Sequence, residues 1–192
     1  MTSGLYGETK FHDFYESLAQ SLKDSNADFI DDAYRKAFPE ISDIKIVDDK
    51  FLQKRGIDKI LFLGEKQVFV DEKIRRCKKD YPDILLEEYS NLERGIPGWL
   101  GRGKYTDYIA YIKFPQKKMY LLPFLLLQLA WKRNYAEWKK EYGIRSAINT
   151  DRATGKFLYT TTNIPVPIDV LYRAMWRCSF VKLGHEPINL ER

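Results

Sequence analysis

Between residues 43 and 75 the chain returns repeatedly to a polar–apolar alternation of period two, interrupted by polar and glycine-containing turns. That period belongs to strands, because successive side chains of a strand point to opposite faces. Residues 43–47 predict one strand, and residues 53–56 read as a polar turn. Residues 58–63 predict a second strand. Gly64, Glu65 and Lys66 form a hairpin turn, and residues 67–75 return as a third strand with Val68 and Val70 on one face.

The flanking segments change period. Phe11, Phe14, Tyr15, Leu18 and Leu22 fall on one face of a 3.6-residue repeat and predict a first helix. Residues 27–38 predict a second helix, capped by Ser25 or Asn26 and stopped at Pro39. Further strands are expected at 83–89, at 106–114 with 118–122 as a hairpin pair, and at 157–162. Residues 93–104 form a loop with four glycines and one proline. Residues 124–141 give the strongest helical pattern, and residues 168–177 a short last helix. The 192 residues therefore predict a single α/β domain, 1–192, with a central mixed sheet flanked by helices.

Composition narrows the chemistry. Only two cysteines, Cys77 and Cys178, and two histidines, His12 and His185, are present. They supply neither a four-cysteine zinc site nor a clustered histidine motif. Cys77 lies in a basic run that would lower a thiol pKa, but no histidine partner is near it in sequence. Residues 1–50 hold 11 acidic and 6 basic side chains, whereas the remaining 142 hold 26 basic and 16 acidic and carry +10. A basic body suits an anionic partner, of which nucleic acid is the commonest, or a solvated surface. The N-terminus lacks an apolar stretch of the signal-peptide kind. The most apolar run, 119–131, is shorter than the roughly 20 residues of a membrane span. A soluble, cytoplasmic protein without membrane contact is expected.

Asp58 opens the second strand, and Asp71 and Lys73, two apart, share a face near the end of the third. The hairpin can bring two carboxylates and one ammonium to one point. Two carboxylates offer hard oxygen donors to Mg²⁺. A lysine beside them can orient or help deprotonate a water and add positive charge near a phosphoryl transition state. The competing reading is a solvated strand end with Asp58 in a turn. Against it, Asp71 follows Val68-Phe69-Val70, and Asp58 stands between Ile57 and Ile60-Leu61, where idle charge is costly.

An Asp on one strand followed by an acidic-x-Lys on the next resembles the signature of the PD-(D/E)xK nuclease superfamily, which includes restriction enzymes, Holliday junction resolvases and phage nucleases. Here the motifs are Gly56-Ile57-Asp58 and Asp71-Glu72-Lys73, with Ile57 in place of the proline and Asp71 in place of the commoner glutamate. Residues 85–90, Pro97-Gly98-Trp99 and Thr106-Asp107-Tyr108 are similar to a pattern in small phage-type members, in which an acid on the next strand lies near the site. The resemblance spans roughly residues 43–130. It implies a restriction-endonuclease-like core of αβββαβ order with additions, and an endonuclease that hydrolyses DNA with Mg²⁺ or Mn²⁺. Asp58 and Asp71 would be metal ligands, Lys73 would organise the nucleophile, and Glu87 would complete the acids, with Glu88 on the opposite face. DNA is the expected partner, RNA is left as an alternative, and a homodimer is compatible because many members act as dimers. Two rival readings stand beside it: a catalytically inactive nucleic-acid-binding module, and a protein whose acidic first 50 residues dock a partner.

Other residues carry weaker signals. Gln53, Lys54 and Arg55 precede Asp58 and can meet a backbone or base edge, or form an ordinary turn. Arg75 continues the face of Lys73, and Arg76 follows it; each is a phosphate contact or a charged exit from the strand. Gly98 to Lys104 matches most of a phosphate-binding loop, but Tyr105 replaces the hydroxyl residue and a strand follows, so the match reads as chance or as a basic loop that touches DNA. Trp99 either stacks on a base or caps the core. Asp107 either supports the site or satisfies a loop. Asp13 and Glu16, on the expected first helix, are acids of the kind some members add to the site.

Overall fold

The computed structural model describes residues 10–13, 28–151 and 153–179. Its elements, in chain order, are β1 (Lys10–Asp13), α1 (Asp28–Ala37), β2 (Asp43–Ile46), α2 (Lys50–Lys54), β3 (Lys59–Leu63), β4 (Lys66–Arg75), β5 (Asp83–Asn91), β6 (Ile96–Pro97), β7 (Tyr108–Lys113), β8 (Lys118–Pro123), α3 (Phe124–Tyr142), β9 (Arg145–Thr150), β10 (Phe157–Pro167) and α4 (Ile168–Ser179). No helix among the described residues is long and apolar enough to cross a membrane.

The class is mixed α/β, with the strands in two five-stranded sheets where the sequence pattern suggests one. One sheet runs β2-β3-β4-β7-β8 and the other β1-β9-β10-β5-β6. The expected hairpin is present, with Leu63 paired to Lys66 across the turn and Lys59 to Val70. β4 then pairs in parallel with β7, setting Asp71 opposite Ile109 and Lys73 opposite Tyr111. β5 leaves that sheet and pairs antiparallel with β10.

Two cores hold the layers. α1 lays Ile30 and Tyr34 on the face of the first sheet made by Leu61, Val70, Ala110 and Ile112. The other face, through Ile109, Tyr111 and Leu122, packs with Ile84, Leu86, Ile164 and Val166 of the second sheet and with α3 and α4. Trp138 and Trp99 are buried in this second core, so Trp99 caps the core rather than offering itself to a base. β4 runs between the two cores, and its alternate side chains look into different surroundings.

Three expectations are corrected. Residues 10–13 form a strand, not the start of a helix, because β9 supplies a parallel partner that pairs Lys10 with Ala147. Asp13 therefore lies on β1, while the rest of the expected first helix, Glu16 included, is outside the described residues, as is His185. β9 itself has no counterpart in the sequence reading. Residues 53–56 are not a simple turn: Asp49 accepts from the amides of Phe51 (2.7 Å) and Leu52 (3.1 Å) and caps the short helix α2.

Candidate active site

The end of α2 aims Asp58. Gly56 takes φ +79°, the Gly56 amide donates to the Gln53 carbonyl (2.9 Å) and the Ile57 amide to the Leu52 carbonyl (3.1 Å), a glycine-terminated helix stop. The chain then enters β3, with the Asp58 amide on the Val70 carbonyl at 2.8 Å. Gly56 is required twice over. Its φ is left-handed, and a Cβ there would lie 2.7 Å from Lys104 Cδ and 3.2 Å from Asp71 Oδ2.

Asp58 and Asp71 meet. Asp58 Oδ2 accepts the Glu72 amide at 2.8 Å, and its carboxyl lies close enough to that of Asp71 for each to act on the other's acidity. Asp71 is 1% exposed. One of its oxygens pairs with Lys73 Nζ and the other with Lys104 Nζ. Lys73 also approaches the Glu72 carbonyl at 3.4 Å. From across the cleft Glu87 contributes to the field at Lys73, and Glu87 Oε2 accepts the Trp99 amide at 3.0 Å. Gly98 makes that bond reachable: its backbone lies so close to Glu87 that a Cβ would sit 2.0 Å from the Glu87 carbonyl oxygen.

The two aspartates are driven apart in acidity. Burial pushes Asp58 up to about 7, a rise that Lys73 tempers and the Asp71 carboxylate reinforces. Burial also acts upward on Asp71, but Lys73 and Lys104 outweigh it and hold it at about 2. Burial opposes the charge of Lys73, yet Asp71 and Asp58 raise its pKa above the ordinary lysine value. Lys73 is thus an ammonium at neutral pH. Burial and the Lys73 charge lower Lys104, and burial raises Glu87.

This cluster opens on a cleft of about 480 Å³ whose walls include Lys73, Arg75, Glu87, Arg102, Lys104 and Gln53. Lys104 and Arg102 are the residues the sequence reading passed over. They come from the loop set aside as a chance phosphate-binding match, and Gly98 is the signal, because its missing Cβ lets that loop pack against Glu87 of β5. Lys73 and Glu87 line the cleft, Asp71 sits buried behind Lys73 and Lys104 with Asp58 beside it, and Glu88 faces the other way, bonded to Tyr135 and Lys139 of α3 and to Thr162. Lys139 is thereby committed to that carboxylate.

The residues expected to touch nucleic acid divide. Gln53 lines the cleft, but its amide donates to the Val47 carbonyl at 2.7 Å and its oxygen accepts from Lys50 at 3.0 Å. Arg75 also lines it, with its guanidinium committed to the Asp83 carboxylate and carbonyl and stacked on Tyr81 at 5.2 Å. Arg76 is exposed beyond the end of β4 and is not part of the cleft wall. Arg55 stacks between Phe51 and Tyr105. Asp107 accepts the Phe69 amide at 2.8 Å, which satisfies the strand end rather than the site.

Among the described residues no group of three or more His, Cys, Asp or Glu side chains is arranged to hold a metal ion. The donor chemistry nonetheless fits a hard dication. Two neighbouring carboxylates act on each other, one with its pKa held near neutrality by burial and by the other's charge, and the other drawing two ammoniums. Comparison with family models, with curated proteins and with solved structures finds no match to this chain.

Proposed function

We propose that the cleft hydrolyses phosphodiester bonds of DNA with the help of Mg²⁺ or Mn²⁺, as the PD-(D/E)xK resemblance implies. The observation that carries the reading is the buried Asp71 paired with Lys73 and Lys104, with Asp58 beside it, behind the wall of a cleft whose charged groups are mostly cationic. Asp58 and Asp71 would hold the ion, which when bound supplies a more acidic water and charge stabilisation at phosphorus. The chain's own groups do the remaining work. Lys73, kept protonated by the two aspartates, places a fixed positive charge where negative charge develops. Glu87, positioned by the Trp99 amide, stands opposite Lys73 and can accept a proton or orient a water. Lys104 and Arg102 draw the phosphate backbone toward the acids.

Cleavage of plasmid, single-stranded and branched DNA with Mg²⁺ or Mn²⁺ tests this. Activity in the wild type and its loss in folded Asp71→Ala and Lys73→Ala are the expected results; full activity in both variants contradicts the proposal. One observation favours a second reading, a nucleic-acid-binding module without catalysis: both oxygens of Asp71 are already held by lysines. That reading expects salt-sensitive DNA binding that divalent metal does not alter, and no cleavage at stoichiometric protein.

A further inference from the structure

Phe51 and Tyr105 are 60% and 61% exposed, unusual for large aromatic side chains, and neither belongs to a core. The Arg55 guanidinium lies over both rings, 4.0 Å from the centroid of Phe51 and 4.7 Å from that of Tyr105. The two segments that carry this stack are those that build the acid cluster. Arg55 is followed by Gly56, which lies against Lys104 and Asp71. Tyr105 is preceded by Lys104, which pairs with Asp71. The Tyr105 amide donates to the Arg55 carbonyl at 3.0 Å and fastens the segments together. Gln53 and Lys54, between Phe51 and Arg55 in sequence, are part of the cleft wall, as is Lys104, which precedes Tyr105.

An exposed aromatic–guanidinium–aromatic ladder held one residue from a basic cleft has the chemistry of a base-stacking platform. Flat π-faces accept any unpaired base, and the guanidinium adds a cation–π contribution. A paired base in a duplex keeps its faces against its neighbours and cannot use such a surface. We propose that Phe51, Arg55 and Tyr105 bind unpaired bases of a nucleic-acid strand adjoining the cleft, so that the protein prefers single-stranded or unpaired DNA to continuous duplex. The proposal rests on the reading of the cleft as a nucleic-acid site and specifies the substrate class, but its test needs no cleavage.

The experiment is binding of a fluorescein-labelled oligothymidine and of a duplex of equal length to the full chain in EDTA, read by anisotropy. A second probe carries 2-aminopurine, whose fluorescence is quenched on stacking. Tighter binding of the single strand, quenching by the wild type, and an affinity loss of roughly 10–100-fold in Phe51→Ala/Tyr105→Ala are expected, with near-wild-type affinity in Phe51→Tyr and Tyr105→Phe. The exposed rings leave folding intact on truncation, and the quenching readout on the wild type stands independently of the variants. Preference for duplex, absence of quenching, or a double variant that binds within about twofold of wild type overturns the proposal. Single-strand binding through these rings without any metal-dependent cleavage removes the nuclease reading and leaves the platform standing; cleavage without dependence on the rings does the reverse.

Discussion

Asp71 and Glu72 are neighbours in sequence, both buried, both paired with lysine, and they point to opposite faces of β4. Glu72 faces α1, where Oε1 accepts the Tyr34 hydroxyl at 2.9 Å and lies 3.4 Å from Lys59 Nζ. Lys59 is fully buried and also bonds Asp31 at 2.7 Å. Burial and then the Glu72 charge push the Tyr34 hydroxyl well above its usual acidity range, so it stays a donor. On that side each charge meets an opposite charge or a neutral donor. On the other side Asp71 lies between Lys73 and Lys104, which line the cleft, and beside a second carboxylate, Asp58. Burial and ion pairing are common to both faces. What separates them is a second carboxylate, Asp58, set beside Asp71 on the cleft side, an arrangement that supports the proposal of a working site there.

The largest expected effect breaks the comparison at its centre. Asp71→Asn lowers metal-dependent DNA cleavage by about a thousandfold, whereas Glu72→Gln keeps it within about tenfold of wild type, measured as initial nicking rates. Stability reverses the order. Lys59→Met removes a buried ammonium that pairs with both Glu72 and Asp31 and costs about 3 kcal/mol, a fall in Tm of roughly 6–12 °C by calorimetry.

The pH dependence of the metal-free protein sharpens the contrast. Asp58 has its folded pKa raised from near 3.8 to about 7, so between those values the folded state holds more protons than the unfolded state. Its contribution to stability therefore declines as pH rises from 4 to 7. Asp71, lowered to about 2, stabilises the fold above pH 4 and loses that contribution only as pH falls toward 2. Asp58→Asn keeps an acceptor for the Glu72 amide and removes the burdened charge. Its Tm should exceed that of wild type by about 5 °C at pH 8 and by much less at pH 4. A smaller effect concerns the far end of the cleft wall. Arg75→Ala should lower Tm by about 3 °C through loss of the Asp83 pair and shift DNA affinity by less than about twofold, because that guanidinium is already committed.

The strands that position the site were legible because they are short, apolar-rich and bounded by polar or glycine-containing turns. Residues 43–47 alternate, residues 58–63 and 67–75 read as strands either side of a hairpin turn, and β2, β3 and β4 lie within a residue of those bounds. β9 was not legible, because its side chains are nearly all half-buried between β1 and β10 and no alternation marks them. β1 was misread because a four-residue strand depends on a partner more than 130 residues away. Asp58, Asp71 and Lys73 could be grouped because one hairpin joins them. Lys104 could not, since it reaches Asp71 across 33 positions from a loop with no periodicity. Nor does a strand pattern tell which sheet a strand joins: β5 follows β4 in sequence and carries Glu87 from the other sheet.

On the proposed function, the cleft face of β4, and not its α1 face, would hold a divalent ion. Mn²⁺ binding followed by the loss of the free-ion electron paramagnetic resonance signal tests it without any substrate. The account predicts one saturable site in the wild type, retained in Glu72→Gln and lost in Asp58→Asn and in Asp71→Asn. Equal Mn²⁺ binding by Asp71→Asn and the wild type, or no binding by the wild type at all, would contradict it.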